Sequence, residues 1–313
     1  MANGSLHTMA QVAEASYGVT PAPPAFKPIR INSTTLGLSK NTLESGELRS
    51  DRNTADLRHG TMQVGGDIVS ELSFGSFDDQ LEALLCGTWA ENVLLNGVER
   101  RSFSVLRHFG DIGKADKPYH LLTGCEYNTL NLQVTTEAIV QATFGIVGKG
   151  LALLAAAPAG ATFADPTTTA PMDSFTGELV EGGKTISVVT EIQLTIENGI
   201  SPKYVVGSKE TIRPSIGRCK VTGQVSAYFE DSYLLEKFIN EASSSLVFTL
   251  TDGEAGNSMK FTIPKIKYTG GQPDVGDPPH FAHHDPFSVY IPFQDYVVSS
   301  AAGALKIERI AHA

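Results

Sequence analysis

One stretch of the chain gathers residue types that could hold a metal ion, His280-x-x-His283-His284-Asp285. Imidazole and carboxylate ligands at that spacing suit zinc or a similar cation. The cluster follows Pro278-Pro279 in a loop dense in Gly, Pro and His, and no second ligand group stands elsewhere, so a polar loop is the preferred reading. Gly145-x-x-Gly148-x-Gly150 has the glycines of a phosphate cradle without the G-x-G-x-x-G order or a clear helix after it, and a dinucleotide site is not expected. The sequence contains no nucleophile elbow, P-loop or H-E-x-x-H. Cys86, Cys125 and Cys219 are odd in number and far apart, and Cys86 and Cys125 have no visible activating partner. They read as reduced, packed thiols of a protein made in a cytosol. Asp67 and Glu71 form a carboxylate pair only in the sense that they lie four apart on one strand face, which reads as a solvated sheet surface. Asn3-Gly4-Ser5 and Asn32-Ser33-Thr34 fit the glycosylation pattern, which means nothing without a secretory signal. No catalytic, cofactor or metal role is assigned, and an enzyme or small-ligand β-barrel is the rival class.

The 313 residues suggest about two domains. A hydrophobic fraction of 41% is enough for real cores, and a net charge of −10 disfavours a protein that grips phosphates. The N-terminus lacks a basic region followed by an apolar run, so no signal peptide is expected. No apolar stretch approaches the ~20 residues of a membrane span. The most apolar one, Gly150 to Ala161, is short and broken by Pro158.

What must position any surface is a strand-then-helix unit that occurs twice. The first copy runs Val64-Gly65-Gly66-Asp67-Ile68-Val69-Ser70-Glu71-Leu72, then a helical stretch from Phe77 to Leu85. The second runs Val221-Thr222-Gly223-Gln224-Val225-Ser226-Ala227-Tyr228-Phe229, then a helical stretch from Ser232 to Ala242. At one constant offset Gly66 meets Gly223, Ile68 meets Val225, Leu72 meets Phe229 and Leu81 meets Phe238. A diverged two-fold repeat without catalytic residues suggests a building block, and it is too short a series for a solenoid. Val64, Ile68 and Leu72 share one strand face; Gln63, Asp67 and Glu71 share the other. Ser76 is placed to cap the helix, with Asp78 and Asp79 in its first turn and Gly87 to stop it.

Further strands are expected at 29–38, 61–74, 102–109, 129–135, 137–147, 191–197, 217–229, 246–251, 258–268 and 286–294. Residues 1–28 read as an extended arm because of Pro21, Pro23 and Pro24. Residues 40–60 show no apolar period and carry Glu47, Arg49, Asp51, Arg52, Asp56 and Arg58, which suits an arm that docks on another copy. The Ala-, Pro- and Thr-rich span 150–172 reads as the boundary between halves.

The order of these segments resembles the major tail tube proteins of long-tailed bacteriophages. The likeness begins at Glu14-Ala15-Ser16-Tyr17-Gly18-Val19-Thr20-Pro21. It continues through Leu48-Arg49-Ser50-Asp51-Arg52, Gly65-Gly66-Asp67-Ile68, Phe77 to Leu85 and Gly87-Thr88-Trp89. It closes with Val221-Thr222-Gly223, Ile263-Pro264-Lys265-Ile266 and Asp285-Pro286-Phe287. The resemblance implies a mainly β fold with α+β character: two packed β-sheets, as a sandwich or split barrel, and one flanking helix per unit. It implies units at 29–165 and 166–313, with a stacking loop at 40–60.

It further implies that one sheet of each unit joins a continuous inner barrel, that rings stack into a tube, and that DNA and the tape-measure protein pass through it. Tail terminator and distal tail proteins are the expected end partners, with no membrane and only transient, sequence-independent contact with DNA. A tail terminator or baseplate hub of the same fold is the nearest alternative. Single-unit relatives form six-membered rings, so two units per chain imply three chains, with assembly in the bacterial cytoplasm. Asp67, Glu71, Gln133, Glu191, Gln193 and Gln224 are then expected to line the channel.

Overall fold

The computed structural model describes residues 4–187, 189–228, 232–253, 256–274, 288–295 and 303–312. The chain is mainly β, and each repeated unit carries one short helix, Asp78–Leu85 and Tyr233–Ile239.

In the first unit Gly37–Glu44 pairs antiparallel with Leu57–Glu71, Leu38 facing Val64. The other edge of Leu57–Glu71 takes Gln141–Gly148, Ile68 facing Phe144. That strand in turn pairs with the C-terminal half of Tyr119–Thr135, Leu132 facing Ala142. The N-terminal half of Tyr119–Thr135 belongs to a second sheet, where it pairs with Phe103–Phe109 and Gly150–Leu154. Phe103–Phe109 then carries His7–Ala13, and His7–Ala13 carries Ala25–Ile29.

The second unit rebuilds this order. Val189–Glu197 pairs with Lys220–Tyr228, which pairs with Ser288–Asp295. Ser288–Asp295 then meets the end of Ser258–Tyr268 and its continuation Gln272–Asp274. Ser243–Thr251 lies beside Ser258–Tyr268 as Phe103–Phe109 lies beside Tyr119–Thr135. The two units are joined edge to edge, because Val189–Glu197 also pairs with Tyr119–Thr135, Gln193 facing Gln133. One antiparallel sheet therefore runs from Gly37–Glu44 in the first unit to Ser288–Asp295 in the second.

The period-two pattern explains which face is buried. Val64, Ile68, Leu130, Leu132, Ile192, Leu194, Ile196, Val221 and Val225 all point into one apolar cluster that spans both units. The first helix closes it with Phe77, Leu81, Leu84 and Leu85. Each such side chain contributes roughly 1.5–3 kcal/mol by leaving water.

Several local expectations need correction. Ser76 does not cap the helix. Phe77 holds the cap position without a side-chain bond, and the Ser76 hydroxyl is engaged with Ser73, Thr167 and Thr169. The helix ends at Cys86, which takes the left-handed turn itself. Gly87 is needed for a different reason: a side chain there would overlap the Leu95 carbonyl. Gly145 and Gly148, as expected, form no phosphate loop: they are strand positions, where a Cβ would strike Thr129 and Val64.

Residues 40–60 are not an unstructured connection. They form the end of a long hairpin, Gly37–Glu44 against Leu57–Glu71, with only its tip outside the strands. The extended segment 1–28 does not stand apart, since His7–Ala13 and Ala25–Ile29 are laid into the first unit's second sheet. The sequence pattern gave no sign of Tyr119–Asn128 as strand, nor of Asp173–Glu181, which pairs with Ser243–Thr251. His280, His283, His284 and Asp285 lie outside the described residues.

Candidate assembly surface

The face of the sheet turned away from the core is mostly polar across its width. One row across the strands reads Glu71, Gln141, Gln133, Gln193, Gln224 and Pro292. The next reads Val69, Thr143, Asn131, Thr195, Thr222 and Gln294. A third contains Asp67, Gly145, Thr129, Glu197 and Lys220. Glu191 stands beside the first row, opposite Thr135. All six residues expected to share a face thus do so, on one sheet. The chemistry of that face is mostly neutral amide and hydroxyl, with four carboxylates and a single lysine among the residues just named.

The seam between the units is tied on this face by side chains. Gln133 Nε2 donates to Glu191 Oε1 at 3.1 Å, and Thr195 Oγ1 donates to Asn131 Oδ1 at 2.9 Å. Beyond the seam the second unit's connection folds back on the first unit. Buried Asn198 donates its backbone N–H to the Asn128 carbonyl and its amide to the Leu84 carbonyl at 2.6 Å. The Met62 N–H donates to the Lys209 carbonyl at 2.7 Å. Glu126, only 2% exposed, is held by Arg100 of its own unit and by Arg213 of the connection, the latter at 3.1 Å. Arg213 also lies over the Tyr17 ring. Sequence patterning missed Asn198, Glu126 and Arg213, because their partners are distant in the chain and no local period marks them.

The corresponding connection of the first unit is the hairpin tip, residues 45–56. Its charges partner one another: Arg49 bonds Asp51 at 2.8 Å, and Arg58 bonds Asp56 at 2.5 Å. The Arg49 guanidinium holds the Asp51 carboxyl well below its ordinary range. Glu47 and Arg52 stand exposed on the same tip. Between these charges Leu48 is 99% exposed, with exposed Leu43 and Leu57 at the base.

A second buried polar group anchors the second helix. Lys237 Nζ donates to both oxygens of Glu181, at 2.7 and 2.8 Å, and Tyr268 and Ser244 donate to the same carboxylate. Burial pushes the Glu181 carboxyl up, but these donors together bring it below its ordinary value. Among the described residues no group of three His, Cys, Asp or Glu is placed to hold a metal.

Among the described residues, the sheet that joins the two units has one apolar, buried face and one largely polar face, and it ends in open strand edges. A family model described as "Phage tail tube protein" matches residues 4–289, nearly the whole chain. The chain belongs to that family and is a structural component of the virion tail. No curated protein matches it.

Proposed function

We propose that this chain polymerises into stacked rings that form the tail tube, the conduit for DNA during ejection. The observation that carries this reading is the unbroken sheet that passes from one unit to the other, apolar on one face and polar on the opposite face. Continuing that sheet around a ring pairs its two open edges, which an isolated chain leaves exposed. Two wall units per chain make three chains the natural ring, with true three-fold and approximate six-fold symmetry. The polar face becomes the channel lining. Its amides, hydroxyls and few carboxylates offer little to hold phosphates, so DNA and the tape-measure protein slide without sticking. The hairpin tip reaches the next ring, and terminator and distal tail proteins cap the two ends.

Electron microscopy of the purified chain tests this. Long tubes with an axial channel and three-fold rings are expected. Single rings that never stack would instead indicate a terminator or hub. A ring of six whole chains, or a channel dominated by Lys and Arg, would overturn the two-wall-unit account.

A further inference from the structure

The internal seam predicts the join between chains residue by residue. The repeat sets up the correspondence. Gly66 faces Ile146, and Gly223 faces Phe293. Tyr127 faces Ile146, and Tyr268 faces Phe293. Tyr127 and Tyr268 are therefore the same position in the two units. Further along, Asn131 faces Thr143 where Gln272 faces Tyr290, and Gln133 faces Gln141 where Asp274 faces Ser288. Each strand gains one residue over this stretch, between Tyr127 and Thr129 in the first unit and between Tyr268 and Gln272 in the second.

On the other side, Gly37 faces Gly65 as Thr195 faces Thr222, and Thr34 faces Ile68 as Ile192 faces Val225. Inside the chain Thr195 sits opposite Asn131 and Gln193 opposite Gln133. Among the described residues, the edge at 35–39 and the edge at 270–274 each have a strand on one side only.

We infer that a second copy of this chain completes these two edges head to tail in the register of the internal seam, with Gly37 opposite Gln272 and Thr35 opposite Asp274. This rests on the tube reading and adds to it the partner's position. Ser39 then faces Gly270, and Leu38 faces Gly271. The partner is another copy because the edge at 35–39 is the counterpart of one that already docks on the other edge's counterpart. The outer join is also sparser than the inner one. Gly270, Gly271 and Pro273 stand where Thr129, Leu130 and Leu132 do, and Gly37 replaces the Thr195 that bonds Asn131. Glycine and proline belong to strands that remain edges until a partner arrives. The internal seam is thus the permanent contact, and the outer one forms on assembly.

Directly opposed strand residues have Cα atoms about 4.5–5.5 Å apart, within disulfide reach, whereas positions displaced by two are not. The test is the full chain carrying Gly37→Cys with Gln272→Cys, assembled into tubes, oxidised and run on a non-reducing gel. Position 37 accepts a side chain, since the nearest atom to a Cβ is the Thr35 carbonyl at 3.7 Å. A covalent ladder of chains is expected from this pair. Each single variant and the unmodified chain, whose Cys86 and Cys125 are buried and whose partly buried Cys219 accepts from the Asn96 amide, should give none. The displaced pair Gly37→Cys with Asp274→Cys should give at least about tenfold less. Equal or stronger cross-linking by the displaced pair, or none by the direct pair in visible tubes, overturns the register while leaving the tube intact. Absence of tubes from the unmodified chain overturns the function instead. If the double variant does not assemble, hydrogen exchange on the unmodified chain decides: amides at 35–39 and 270–272 must gain protection in tubes, and continued rapid exchange there overturns the join.

Discussion

Gly66 and Gly223 serve the same purpose in the two units. A Cβ on Gly66 would lie 2.6 Å from the Thr35 carbonyl, and one on Gly223 would overlap the carbonyl of Gln193, the equivalent residue. Each neighbouring strand comes so close that only hydrogen fits. Gly66→Ala and Gly223→Ala should each destabilise the unassembled chain by about 2 kcal/mol or more, whereas Gly37→Ala should stay within about 0.5 kcal/mol. Denaturant titration measures this, and equal effects at all three positions would refute the close-approach argument. The sequence displayed the repeated glycine but not its cause, since the obstructing atoms belong to residues far away in the chain: Thr35 and Leu36 for Gly66, Gln193 and Phe293 for Gly223.

Glu181 gives a pH dependence. Its folded-state carboxyl lies below the ordinary value, so its contribution is fully present above about pH 4.5 and is lost as pH falls through the folded value. Glu181→Gln should flatten that acid limb. It should also cost about 3 kcal/mol at neutral pH, because Lys237 loses its partner. An unchanged acid limb in the variant would remove Glu181 from the account.

At the scale of elements, the two connections have taken opposite courses from similar starting points. The second, through Lys209 and Arg213, lies down on the first unit; the first stands out as a hairpin with Leu48 at its tip. Replacing 45–56 by Asn-Gly, a two-residue turn suited to strands paired at Glu44 and Leu57, should leave the fold and its melting unchanged and abolish tubes. Normal polymerisation by this variant would exclude the tip from stacking. Strict alternation over 191–197 made the strand Val189–Glu197 readable in the sequence, and Ser258–Tyr268 was expected at its observed bounds. The outer part of the hairpin, 40–60, was read as a loop because both faces of its arms are largely solvated there, so no apolar residues mark the period. The residue types on the sheet's polar face were likewise visible in advance. Tyr119–Asn128 was not, because it passes from one sheet to the other and is buried on both sides for part of its length.

At the scale of the whole molecule, the repeat was legible from a handful of matched residues, and it fixed the most about the fold. It could not reveal the edge-to-edge seam, which depends on strands far apart in sequence meeting in a definite register. Covalent linkage makes that seam independent of concentration, so only the outer joins respond to how much protein is present. The unlike connections have a further consequence. A ring built from three such chains presents three raised hairpins alternating with three flattened connections. Successive rings can then seat only at intervals of a third of a turn, not a sixth. The hairpins act as the teeth of a coupling, and the angle between neighbouring rings is indexed by the chain and not by the wall unit.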